Sequence, residues 1–270
     1  MSAPTAPLTV QAPPPAPPRR PPGRAALAVL TALVVGFGGL DVLGDVTATR
    51  TESTREFEGA VAAVRTVGGT GDVVVVADPT AQRVQLRTLV HDGWSRARSS
   101  ADVVDGELRL STDCGSGSWL SPCEVDWELT VPEGLDLDLR TGTGDQELTG
   151  SFGAVTSRAG TGDVRWDGAS GGPLDVETGT GDLDVRGQVA SLRARAGTGD
   201  VEAWLDSAPT AVEVTTGTGD ATVRVPTDGT YAVDVSTGFG DEVVEVPVDT
   251  TSGRRIAVRT STGDASVLPR

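Results

Sequence analysis

The sequence predicts an all-β fold, a β-solenoid of coils about twenty residues long, and three observations carry that expectation. One short turn recurs as Gly69-Thr70-Gly71-Asp72, Gly142-Thr143-Gly144-Asp145, Gly160-Thr161-Gly162-Asp163 and Gly179-Thr180-Gly181-Asp182. It continues as Gly197-Thr198-Gly199-Asp200 and Gly217-Thr218-Gly219-Asp220, with Gly238-Phe239-Gly240-Asp241 and Ser261-Thr262-Gly263-Asp264 as degenerate copies. From the second copy onward the aspartates stand 18, 19, 18, 20, 21 and 23 residues apart, a unit too short to bury its own apolar face. The flanks alternate with period two, as in Leu174-Asp175-Val176-Glu177 before a turn and Leu183-Asp184-Val185 after it. That is the pattern of a strand with one buried face.

Taken in chain order, residues 1–24 are low in complexity around Pro13-Pro14-Pro15-Ala16-Pro17-Pro18 and read as a disordered, polyproline-like cytoplasmic tail. An uncharged apolar run from Ala25 to Leu40, extended past Asp41 by Val42 and Leu43, predicts a transmembrane helix over 25–43. Arg19, Arg20 and Arg24 precede it, which keeps the tail inside and exports the repeats, giving a single-pass cell-membrane protein. The alternative is a secreted chain whose signal is cleaved at the small residues Val46-Thr47-Ala48.

Residues 44–135 read as a less regular, β-rich cap section. It holds the first turn copy, the run Val73-Val74-Val75-Val76, the strand Val125–Val131 and the punctuation Val131-Pro132-Glu133-Gly134. Cys114 and Cys123 flank Gly115-Ser116-Gly117-Ser118-Trp119, and an isolated pair closing a short loop in an exported chain is expected to form a disulfide. The single His91, expected on a loop, cannot complete a metal site with them.

Residues 136–270 are the regular coils. A meander of hairpins would also fit the turns. Near-identity from copy to copy favours the solenoid, because like residues then stack about 4.8 Å apart and meet the same steric demand. The glycines supply positive φ at the corners, and each Asp accepts an N–H two residues on in its own turn. The last coil, Ile256 to Leu268, has no cap after it, which leaves a sheet edge exposed or open to self-association.

The N-terminal apolar run, the Cys loop, the strand leading into Pro132 and the serial Gly-Thr-Gly-Asp turns together resemble the DUF4097 β-strand-repeat proteins, over roughly residues 55–268. This family also carries the label of adhesins. The resemblance implies an extracytoplasmic, β-solenoid-like bacterial domain, often membrane-anchored, with no catalytic residues.

The net charge is −16, yet residues 1–40 hold three arginines and no acid, so residues 41–270 carry −19; lysine is absent throughout. So acidic a chain argues against nucleic-acid binding and against resting on an anionic membrane surface. The expected function is non-enzymatic: a membrane-anchored β-repeat module for adhesion, scaffolding or envelope binding, with a cell-wall polymer or an envelope protein as partner. The alternative is calcium binding. If the turns stack, Asp145, Asp163, Asp182, Asp200, Asp220, Asp241 and Asp264 form a carboxylate column whose neighbours repel by about 0.9 kcal/mol even in water. A polysaccharide-active β-helix enzyme is a lesser alternative, because its acid–base pair should break the repeat and here the acids follow it. Of the five tryptophans, Trp166 falls on the apolar phase, Trp204 lies one residue off it, and Trp119 is the candidate for an exposed contact.

Overall fold

The computed structural model describes residues 49–58, 60–92, 98–113 and 123–270. The tail expected over 1–24 and the helix expected over 25–43 lie outside these residues. No helix among the described residues is long and apolar enough to cross a membrane.

The described chain is all strand and turn. Its first strands are β1 (Thr49–Phe57), β2 (Ala63–Val67), β3 (Val73–Ala77), β4 (Val84–Asp92), β5 (Arg98–Val104), β6 (Glu107–Asp113) and β7 (Cys123–Val131). There follow β8 (Asp136–Thr143), β9 (Gln146–Phe152), β10 (Val155–Thr161), β11 (Val164–Ser170), β12 (Leu174–Thr180), β13 (Leu183–Gln188) and β14 (Ser191–Thr198). The last are β15 (Val201–Leu205), β16 (Ala211–Thr218), β17 (Ala221–Val225), β18 (Ala232–Phe239), β19 (Glu242–Val244), β20 (Arg255–Thr262) and β21 (Ala265–Pro269). They form an 11-stranded sheet, β1-β4-β7-β3-β9-β11-β13-β15-β17-β21-β19, and a 10-stranded sheet, β18-β20-β16-β14-β12-β10-β8-β2-β6-β5.

Strands flanking a turn lie in different sheets, and strands one period apart pair in parallel, so the hairpin alternative is excluded and the chain coils. Register partners are the repeat equivalents: Val155, Leu174, Leu192 and Val212 succeed one another across β10, β12, β14 and β16. Val164, Leu183, Val201 and Ala221 do so across β11, β13, β15 and β17. Alternation then puts these residues, and those two further along each strand, in one continuous buried core between the sheets.

Trp166 is the largest fully buried side chain. Its coil carries on the opposite strand Ser157, where neighbouring coils have Leu139 and Val176, and Ala159, where they have Thr141 and Thr178, so small residues leave room for the indole. A buried polar cluster sits here too. Gln146 occupies a core position, donates from Nε2 to Thr141 Oγ1 and to the Arg158 carbonyl, and accepts from Ser157 Oγ at 2.7 Å. Each of its polar atoms is thus satisfied, the condition under which buried polar groups are tolerated.

Stack order departs from chain order at both ends. The coil of β6 and β7 lies outside that of β2 and β3, and the last coil in sequence, β20 and β21, lies between β16–β17 and β18–β19. Residue 135 is therefore no boundary in the stack: β2 and β3 already pair in parallel with β8 and β9. The outer cap consists of β4 antiparallel to β7, β1 antiparallel to β4, and β5 antiparallel to β6. His91, expected on a loop, is on β4, with Nε2 3.4 Å from Asp126 Oδ2.

The exposed edge expected at Ile256–Leu268 is corrected likewise, because that coil is paired on both sides and the open end belongs to β18 and β19. This end is blunted. β19 has 3 residues, Glu242 accepts the Thr237 N–H at 3.1 Å, and Tyr231, just ahead of β18, bonds the strap 247–249 through the Pro247 carbonyl and the Asp249 N–H. Short strands, charge and proline are the devices that discourage pairing between sheet edges. The Tyr231 hydroxyl donates to the Pro226 carbonyl at 2.7 Å, and burial raises its pKa above the ordinary phenol value.

Candidate functional site

All eight predicted turns come together along one edge of the stack, each joining a strand of the 10-stranded sheet to one of the 11-stranded sheet. The aspartates form a single hydrogen-bonded ladder. The Asp72 N–H donates to Asp126 Oδ1 at 3.0 Å, and the Asp145 N–H to Asp72 Oδ1 at 2.8 Å. Asp163, Asp182, Asp200 and Asp220 follow, each N–H on the preceding carboxylate at 2.8 to 2.9 Å. The Asp264 N–H then bonds Asp220, and the Asp241 N–H bonds Asp264.

Each carboxylate but that of Asp241, which ends the ladder, therefore caps the turn of the next coil and not its own, a correction to the local cap expected from the motif. An N–H dipole aimed at every carboxylate but the terminal one of Asp241 offsets the repulsion along the column. Asp126 is the one member outside the Gly-Thr-Gly-Asp pattern. It joins because β7 pairs with β3 in the register Trp127↔Val73, which no local motif announces. Asp200→Ala removes the acceptor of the Asp220 N–H and should cost about 1 kcal/mol, while Asp200→Asn keeps an oxygen there and should cost less. Urea unfolding midpoints of the two variants check this order.

The two glycines of the motif have different reasons. Gly144, Gly162, Gly181, Gly199, Gly219, Gly240 and Gly263 all have positive φ, as does Gly71. Of the first glycines only Gly69 shares this, with φ +116; a Cβ at Gly160, Gly179, Gly197 or Gly217 would instead sit 2.4 to 2.5 Å from the carbonyl oxygen of its equivalent one coil back, and at Gly142, beside Gly69, 3.0 Å. Only the first position admits an exception, Ser261. Threonines next to the turn lock neighbouring coils, as Thr178 donates to the Gly162 carbonyl and Thr216 to the Gly199 carbonyl.

Among the described residues no group of three or more His, Cys, Asp or Glu side chains is placed to hold a metal ion. The outer faces carry ion-pair ladders instead of solvated single charges: Arg193 and Arg195 both reach Glu213, and Arg158 reaches Asp175 and Glu177. The hydrogen bond from Arg193, aided by Arg195, holds the Glu213 carboxyl below its ordinary pKa against partial burial. The expected Cys114–Cys123 disulfide falls partly outside the described residues; Cys123, at the start of β7, is not a free thiol. Trp94 and Trp119 also lie outside them, Trp127 and Trp166 are core residues, and Trp204 is half-buried on the outer face of β15.

The family model described as Toastrack DUF4097 matches residues 99–268. The chain belongs to the DUF4097 family. The match takes in all the regular coils from β8 onward and the outer coil of β6 and β7. Solved structures to which the DUF4097 chain is similar stand at low identity. One, a "putative cell adhesion protein" of Clostridium sporogenes, is 12% identical, with 82% of this chain and 100% of that one covered and a TM-score of 0.38. A "putative adhesin" of Bacteroides fragilis is 12% identical over 82% of this chain and 97% of that one, with a TM-score of 0.43. A "putative lipid binding protein" of Parabacteroides distasonis is 9% identical over 82% and 97%, with a TM-score of 0.31. No curated protein matches the chain.

Proposed function

We propose that this protein is a non-enzymatic, extracytoplasmic module for adhesion, scaffolding or envelope binding, held at the cell membrane by the apolar run over 25–43. The observation that carries the reading is the regular repetition of the turn edge. Among the described residues, the turn-edge acids cap the next coil and Asp175, Glu177 and Glu213 of the outer faces pair with arginines, so these acids follow the repeat instead of breaking it as a poised pair in a cleft. What remains is a rigid, acidic set of evenly spaced side chains, suited to a partner that is itself repetitive. Descriptions of the structural neighbours as adhesion proteins agree with this.

The ladder also removes the need for calcium as a structural counter-ion, since backbone N–H groups already fill that role. The full-length chain, in a sugar-free detergent, should co-sediment with isolated bacterial cell walls equally in millimolar calcium and in chelator. Binding only with calcium would restore the carboxylate column as a metal site. No binding in either condition would overturn the envelope reading.

A further inference from the structure

One outward row of the 11-stranded sheet runs Asp167, Arg186, Trp204, Arg224 and Leu268 across β11, β13, β15, β17 and β21. Alternation on β15 buries Val201, Ala203 and Leu205 and turns Glu202 and Trp204 outward, so the indole is no part of the core. It is the sole outward tryptophan among the described residues. The Arg224 guanidinium carbon lies over it, 4.6 Å from the ring centroid, a cation–π contact that fixes the ring. On the side of Arg186 and Gly187 opens a groove of about 330 Å³, lined also by Asp167, Asp206 and Arg270.

The polar rim of this groove is balanced. Arg186 bonds Asp184 at 2.9 Å, and Arg270 pairs with Asp206. Trp204 Nε1 and Arg224 Nε are shielded from solvent and have no hydrogen-bond partner.

We propose that the groove is a saccharide subsite, taking an uncharged pyranose of a surface polysaccharide with its C–H face against Trp204. The assignment rests on the envelope-binding reading. A sugar ring presents an apolar face of C–H groups and a rim of hydroxyls, each both donor and acceptor. An indole bordered by carboxylate acceptors and guanidinium donors meets both demands. The equal numbers of Asp and Arg around the groove disfavour a polyanion, which Asp167 and Asp206 would repel. The Arg224 stack pre-orders the ring, so little rotamer freedom is lost on binding. An open groove on a repetitive face also suits one unit of a polymer better than an enclosed small molecule.

The test uses the full chain in sugar-free detergent, titrated calorimetrically with cellohexaose, chitohexaose and mannohexaose, beside co-sedimentation with cell walls. At least one hexasaccharide should bind, Trp204→Ala should weaken it at least about tenfold, and Trp204→Phe should retain most of the affinity. Thr222→Ala, outward on the neighbouring strand and away from the groove, should change nothing, and unchanged melting of all three variants keeps the comparison one of binding. Walls bound equally by wild type and Trp204→Ala would overturn the subsite and leave the envelope reading standing. Wall binding that needs Trp204 but is not competed by any hexasaccharide would replace the saccharide with another ligand class. Hexasaccharide binding through Trp204 without wall binding would keep the subsite and remove the envelope reading. No binding to either would remove both.

Discussion

Gly181→Val should unfold the stack or cost about 4 kcal/mol or more, the largest effect expected of any single substitution here. Two costs coincide at this residue. Its φ is +142, a conformation that β-branched residues avoid, and an added Cβ would lie 2.1 Å from the Gly162 carbonyl oxygen. That oxygen belongs to the coil beneath, whose position is fixed by parallel pairing on both sheets, so it cannot yield without shifting a strand pair. Two controls separate the costs. Gly134 has φ +82 with nothing within 4 Å of an added Cβ, so Gly134→Ala reports the conformational penalty alone, about 1 kcal/mol. Gly253 has neither constraint, and Gly253→Ala should stay within about 0.5 kcal/mol of wild type. Thermal and urea unfolding of the three would show the order; a Gly181→Val protein that melts like Gly134→Ala would mean that the turns are not in contact.

Trp166→Ala is the second large effect, about 3–5 kcal/mol, because it empties the largest fully buried side chain between two sheets that cannot collapse without breaking register. Trp166→Phe should cost far less than that. The indole N–H has no partner in the core, so phenylalanine loses some volume but also relieves an unsatisfied donor. Matching losses for the two variants in urea titrations would show that the N–H is bonded in solution.

The coil itself was plain in the sequence because every copy of the turn meets the same neighbour and so keeps the same residues. The cap function of Asp163 or Asp182 was not, since a carboxylate bonding its own turn and one bonding the next coil's turn have the same residue in the same place. The stack order was harder still. Inward faces such as Val233–Val235 and Ile256–Val258 are chemically interchangeable, and either could follow Val212–Val214. One trace of the exchange was present, in the aspartate spacings that lengthen to 21 and 23. Segment 226–231 must climb past a vacant level, and 245–254 must come back down to fill it, whereas β9 passes to β10 through residues 153–154 alone. Trp204 was legible only as a residue out of phase; that Arg224 stacks on it depends on register between strands twenty residues apart. Gln146 and Ser157 put polar groups at core positions, and only the facing of their strands across the core makes them partners.

The inverted order of the final coils bears on how the chain is made. Up to β17 each new coil can settle on one already made as the chain emerges, even β8 and β9, which stack on β2 and β3, and the process resembles laying courses of brick. The strands β18 and β19 then arrive with no course beneath them, because both of their parallel neighbours, β20 and β21, are still to be synthesised. Residues 232–269 must therefore wait and close as one piece, with the youngest strands sliding into the gap and locking the older pair on the outside. Closure of this end is thus timed by β20 and β21, and a polypeptide stalled before them would carry one course that cannot set.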